Sequence, residues 1–181
     1  MEAFAHNEPP TFEQLMLPHL DAAHNLARWL LRDPHDAEDA VQDAVLRAYR
    51  AFDRFRGTNG RAWLLTIVRN VCYTHMRDNR RGPQEVAFED EIHGSTHDPA
   101  DANLLAWNEV KGEQLRRALE RLPAEFREVI VLHEVEGMPY REIAGVAGIP
   151  LGTVMSRLAR ARGKLQAELL NETGKGSPHG M

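Results

Sequence analysis

Apolar residues recur along this chain at three- and four-residue steps, the period of an amphipathic helix, and each element so marked reads as a helix. The clearest stripe lies near the C-terminal end. There Leu151, Val154, Leu158, Ala161, Leu165 and Leu169 share one face of a helix starting near Pro150, since Pro is tolerated in a first turn. Thr153, Ser156, Arg157, Arg160 and Lys164 share the other side, a polar and cationic surface with no acidic residue until Glu168. A shorter helix, about Tyr140 to Ala147, precedes it with Ile143, Ala144 and Ala147 inward, and Gly148-Ile149 supplies a tight turn. Small residues at Ala144, Gly148 and Gly152 suit a close crossing of the two helices. Short helix, Gly turn and basic second helix make a helix-turn-helix, a motif that places its second helix in the major groove of DNA.

From the start of the chain, residues 1–10 read as a disordered polar segment. Phe12, Leu15, Met16 and Leu20 open a helical pattern that resumes after Pro18 through Ala23, Leu26, Ala27 and Leu30, until Asp33-Pro34 stops it. Asp36 is the expected cap of the next helix, with Glu38 and Asp39 in its first turn. Ala37, Ala40, Val41, Ala44, Val45, Ala48, Tyr49 and Phe52 form its inner stripe. On its opposite face Leu46 stands among Asp39, Gln42, Asp43, Arg47 and Arg50, which leaves a protein-docking surface open. A loop with two glycines, Phe52 to Gly60, leads to a helix whose inner stripe is Leu64, Ile67, Val68, Val71, Cys72, His75 and Met76. Its outer side carries Arg61, Trp63, Thr66, Arg69, Asn70, Tyr73 and Arg77. Arginines interleaved with aromatic rings and an amide suit opened DNA: guanidinium for phosphate, rings for stacking, Asn for a base edge. Gly82 to Asn103 has no sustained period and is rich in Gly, Pro, Asp and His, the composition of a linker. Helical spacing returns at Leu104, Trp107, Leu115, Ala118, Leu119 and Leu122, breaks at Pro123, and continues through Phe126, Val129, Ile130, Leu132 and Val135 to Gly137. The tail from residue 171 reads as disordered.

Charge changes this picture. The formal net charge of the 181 residues is −5, which argues against a protein that coats nucleic acid unaided, because non-specific affinity comes from phosphate neutralisation. Locally, Arg54 to Arg81 holds seven arginines against Asp78, while Gly82 to Glu113 holds eight acids against Lys111. Two basic lobes flank an acidic middle. One cysteine, Cys72, excludes a disulfide framework, and neither a basic-then-apolar leader nor a stretch of about 20 apolar residues occurs. That points to a cytoplasmic protein without membrane insertion. His93 and His97 have a chelating spacing but sit in a Gly/Ser/Asp/Pro segment, and His133-Glu134 lacks the second His of a zinc-protease pattern. No phosphate loop, dinucleotide fingerprint or nucleophile elbow is present. No catalytic residue, metal or cofactor is expected, and the chain does not read as an enzyme.

These residues resemble a family. DAEDAVQDAVLRAYRAF, followed by FRGTNGRAWLLTIVRNVCYTHMRDNRR, is similar to region 2 of the bacterial RNA polymerase sigma factors of the extracytoplasmic-function (ECF) type, within the sigma-70 family. LPAEFREVIVLHEVEGMPYREIAGVAGIPLGTVMSRLARARGKL resembles their region 4. The resemblance implies an all-α fold of two small helical domains, region 2 over residues 11–81 and region 4 over 104–170, joined by an acidic flexible linker over 82–103. It also implies partners: core RNA polymerase, promoter DNA as duplex at the −35 element and opened at the −10 element, and an anti-sigma factor. Residue by residue, Asp39, Gln42, Asp43, Leu46 and Arg47 fall where the family docks on polymerase. Arg56, Thr58, Asn59 and Arg61 fall on the loop that captures a −10 base, and Trp63, Arg69, Asn70 and Arg77 on the helix that holds the melted strand. Thr153, Ser156, Arg157, Arg160 and Lys164 fall on the helix that reads the −35 element. Met155 stands where many members carry Lys or Arg. The linker's ~22 residues reach at most about 75 Å, enough for elements about two duplex turns of ~34 Å apart. The alternative is a stand-alone helix-turn-helix regulator, which calls for a symmetric dimer interface.

Overall fold

The computed structural model describes residues 10–79 and 112–174, and every secondary-structure element in them is helical. The expected linker, including His93 and His97, the helical spacing at Leu104 and Trp107, and the chain's two ends lie outside the described residues. Helix α1 (Phe12–Met16) starts at a reciprocal cap, Thr11 Oγ1 accepting from the Gln14 amide at 3.3 Å while the Gln14 side chain accepts from Thr11 N–H at 3.0 Å. Pro18 sits in a 3₁₀ turn, and α2 (Leu20–Leu31) follows.

Helix α3 (Pro34–Ala51) is capped by Asp33 rather than by the expected Asp36. With Pro34 in the first helical position, which needs no amide donor, the Asp33 carboxylate reaches the His35 and Asp36 amides at 2.8 and 3.0 Å. Helix α4 (Gly60–Asn79) completes the first lobe. Leu26, Leu30, Ala44, Ala48, Leu64, Leu65 and Val68 fill the space between α2, α3 and α4. A leucine so enclosed contributes about 1.5–3 kcal/mol by leaving water. Tyr49, expected on the inner stripe, is 62% exposed. It lies at the stripe's edge, where Phe12 meets it edge to face at 5.3 Å.

The second lobe comprises α5 (Gly112–Arg121), α6 (Ala124–Ile130), a π-helical turn (Val131–Val135), α7 (Tyr140–Ala147) and α8 (Leu151–Gly174). The π turn corrects one sequence expectation. One extra residue in a turn rotates the succeeding residues by about 100°, so Val131 and Leu132 are buried while Val135, read as core, is 50% exposed. Gly137 and Gly148 take φ of +64° and +66°, the left-handed conformation that ends a helix. Val154, Leu158, Ala161 and Leu165 are buried as expected, but Leu151 is 41% exposed. A helical side chain covers the turn before its own Cα, and before Leu151 there is only loop. Gly152 is exposed with open space where a Cβ would stand, so it does not serve a close crossing. Helix α8 also continues to Gly174, past the expected end of the domain.

The two lobes touch. Helix α4 packs against α7 and α2 against α6, and the buried apolar residues of both lobes form one continuous cluster.

Candidate functional site

Three surfaces carry the residues singled out from the sequence. On α3, Asp39, Gln42, Leu46 and Arg47 are exposed and Asp43 half-buried, with Leu46 55% exposed. Arg47 pairs with Asp43 one turn earlier at 2.8 Å, holding both side chains beside the leucine. The helix therefore offers one apolar knob in a charged frame.

The second surface runs from the loop after α3 onto α4. Arg56 and Thr58 are exposed, and the Arg56 guanidinium folds back to donate to the Asp53 and Phe55 carbonyls. Asn59 caps α4: its Oδ1 accepts from the Ala62 amide at 2.9 Å, which leaves its amide NH₂ as the outward group. Beneath the loop, Tyr49, Phe12, Phe52, Phe55 and Trp63 form a chain of ring contacts 4.7 to 6.3 Å between centroids. Trp63 is thus fastened by Phe55 and keeps a half-exposed face. A Cβ at Gly57 would come within 2.9 Å of the outer edge of the Phe55 ring, which would have to shift. A Cβ at Gly60 would approach the Leu15 carbonyl at 3.0 Å, tight enough that the neighbouring backbone would have to give. Further along, Asn70 and Arg77 are exposed.

Arg61 and Arg69, on the same helix, are not turned to solvent. The Arg61 guanidinium donates to the Glu136 carbonyl at 2.6 Å and to its carboxylate at 2.7 Å, and Asn25 Nδ2 donates to that carboxylate at 3.1 Å. Arg69 pairs with Glu128 of α6 and lies over the Tyr73 ring at 4.4 Å, while Tyr73 Oη donates to the other Glu128 oxygen at 2.9 Å. Glu128 is fully buried. Burial pushes its carboxyl above the usual range, opposed by the Arg69 charge and the Arg69 and Tyr73 hydrogen bonds. Next to it, buried Arg127 donates to the Leu122, Glu120 and Leu30 carbonyls at 3.0, 3.1 and 3.3 Å, joining the C-terminal ends of α5 and α2. Burial lowers its pKa to about 10, so it remains charged at neutral pH. Cys72 is buried, and its thiol is pushed up to about 12 by burial and by Glu128, so it is a core residue and not a reactive thiolate.

The third surface is α8. Ser156, Arg160 and Lys164 are exposed, and Thr153 and Arg157 half-buried, all on one side of the helix. Ser156 Oγ is turned back on the Thr153 carbonyl at 3.1 Å. Arg162 is directed inward instead, to Glu134 of the π turn at 2.6 Å, and fastens α8 to it. Reasoning from the sequence missed Glu128, Glu136, Arg127 and the ring chain. Only Arg127-Glu128, a charged pair inside the apolar run from Phe126 to Leu132, carried a signal.

Comparison with known proteins adds the context. Residues 15–82 match the family model for sigma-70 region 2, and residues 112–165 that for sigma-70 region 4. The ECF RNA polymerase sigma factor SigE of Mycolicibacterium smegmatis is 32% identical over 92% of this chain, which spans 64% of that protein's length. The ECF sigma factor SigM of Mycobacterium tuberculosis is 36% identical over 91% of this chain and 80% of its own. Among solved structures, the sigma factor RpoE from Bartonella quintana, in complex with the anti-sigma factor NepR, superposes with a TM-score of 0.68 at 34% identity, covering 88% of this chain and 96% of that one.

Proposed function

This chain belongs to the ECF RNA polymerase sigma factors, and from that membership we propose that it binds core RNA polymerase and directs it to promoters with two recognition elements. The observation that carries the reading is the succession, in one chain, of a region 2 match and a region 4 match, each with its own cationic helix.

In this reading Leu46, framed by Asp39, Gln42, Asp43 and Arg47, docks on polymerase. Thr58 and the outward amide of Asn59 meet a base of the −10 element beside Arg56 and Arg61. Trp63, buttressed by Phe55, offers a stacking face to the opened strand, and Arg69, Asn70 and Arg77 follow its backbone along α4. The side of α8 carrying Thr153, Ser156, Arg157, Arg160 and Lys164 enters the major groove at the −35 element. Phosphate contacts position each lobe, and the few base contacts specify the site. A chain of net charge −5 binds promoters weakly alone and strongly once polymerase adds its own DNA contacts. The protein works in the cytoplasm as an initiation factor and not as a catalyst, and an anti-sigma factor is its expected regulator.

The test is transcription in vitro with purified chain, sigma-free core polymerase and a genomic fragment library, mapping transcript 5′ ends. Start sites that share two upstream elements are expected, and Leu46→Asp should abolish them while leaving the chain folded. A chain that neither binds core polymerase nor initiates with it sinks the reading.

A further inference from the structure

Residues four apart on α8 fall in rows along the helix, and the two rows that face solvent differ in kind. Gly152, Ser156, Arg160 and Lys164 make a polar and cationic row. Beside it run Leu151, Met155, Ala159 and Gly163, all exposed and none charged. Leu151 is 41% exposed and Met155 52%. The loop before α8 accounts for Leu151, but Met155 stands inside the helix, and its side chain lies toward the turn of Leu151 and Gly152. Gly152 leaves open space where a Cβ would stand. A partner can therefore come close to the helix beside the Met155 thioether.

We propose that Met155 determines part of the −35 specificity by packing its thioether on the 5-methyl group of a thymine in the major groove. This rests on the reading of α8 as the helix that enters the −35 element. Three observations carry it further. First, Met155 lies in the second turn of α8, and the N-terminal residues of a recognition helix are the ones that reach base edges. Second, the charge around it selects a polyanion as the occupant. Arg160 and Lys164 fill the adjoining row, Arg157 lies beyond it, and no acid occurs on α8 before Glu168. Phosphates held by those cations set the duplex on α8 and bring the row of Met155 into the groove. Third, a methionine in this place gives up the phosphate or guanine contact that a lysine or arginine would make. Among the groups that line the major groove, the thymine methyl is the apolar one. An unbranched thioether adapts its shape to such a contact.

The test uses holoenzyme assembled from the full chain and core polymerase, on the promoter duplex that gives the most transcript in the assay above. Each thymine of its −35 element, on either strand, is replaced singly by deoxyuridine, which removes the methyl group and keeps the base pair. Competition binding then reads the affinity of wild type, Met155→Ala, Met155→Leu and Met155→Lys for each duplex. Met155 is exposed, so these substitutions leave the core untouched. At one position the replacement should weaken wild-type binding about fourfold, the worth of one methyl group taken from water. Met155→Ala should bind the thymine and deoxyuridine duplexes alike there, and Met155→Leu should keep the preference. Met155→Lys should lose it and bind with a salt dependence steeper by about one phosphate contact. A wild type indifferent to every replacement, or a Met155→Ala that pays the same penalty as wild type, would overturn the methyl contact. Arg160→Ala tests the premise separately. Weaker promoter binding by that variant keeps α8 as the −35 reader whatever Met155 does, whereas unchanged affinity would overturn the −35 reading and the methyl contact with it.

Discussion

Asn59 shows how one side chain can serve the fold and the site together. Its Oδ1 caps α4, and its NH₂ is the group we propose meets a base. Asn59→Ala should lower stability by about 1 kcal/mol, the usual value of such a cap, measurable by urea denaturation. Asn59→Asp keeps the cap oxygen and loses the amide donor, so its stability should stay near wild type while transcription from −10-dependent promoters falls. Glu128 makes the second residue-level case. Burial raises its carboxyl from the ordinary 4.5, so in the window above 4.5 the folded chain binds more protons than the unfolded one. Stability therefore declines as pH rises through the raised pKa and is fully present below the ordinary one. Glu128→Gln has no such titration, so its melting temperature relative to wild type should increase as pH is raised from about 4.5. A difference that stays flat, or shrinks, would show that the carboxylate is ionised in the fold at no cost.

Among the elements, the helix-turn-helix depends on glycine in two unlike ways. Gly148 has φ +66° and open space where a Cβ would stand, so Gly148→Ala carries only backbone strain, about 1–2 kcal/mol. Gly152 lies inside α8 with equally open space and no positive φ. Gly152→Ala should raise stability, by up to about 1 kcal/mol from helix propensity. Thermal melts of the two variants should move in opposite directions. On α4, the ring chain from Tyr49 to Trp63 ties the loop before α4 to α1 and α3. Phe55→Ala should therefore loosen Trp63 and the loop together, seen as loss of promoter opening with −35 binding retained.

For the whole molecule, the two lobes share one buried apolar cluster and meet through the Arg61–Glu136 and Arg69–Glu128 pairs. Glu128→Lys, which sets an ammonium against Arg69 in a fully buried site, should lower stability by about 3–5 kcal/mol, measured by urea denaturation. A loss no larger than that of an exposed pair, about 1 kcal/mol, would show that this contact between the lobes carries little of the fold's stability.

The bounds of the helix-turn-helix, Tyr140–Ala147 and Leu151 onward, were legible in the sequence, because period, proline and glycine act locally and leave their mark within a few residues. The same holds for Ala37, Ala40, Val41, Ala44 and Ala48 in the core of α3, though not for Tyr49, and for the exposed Leu46. The π turn was not legible: nothing in VLHEV distinguishes it from α-helix, and the change of face at Val135 results from how that segment packs. Nor could the sequence show that Glu128 and Glu136 meet Arg69 and Arg61, 59 and 75 residues away. Pairing at that distance is set by how two separately patterned lobes come together. Local chemistry made each surface of this chain, and only the tertiary arrangement decided which of them face solvent and which face one another.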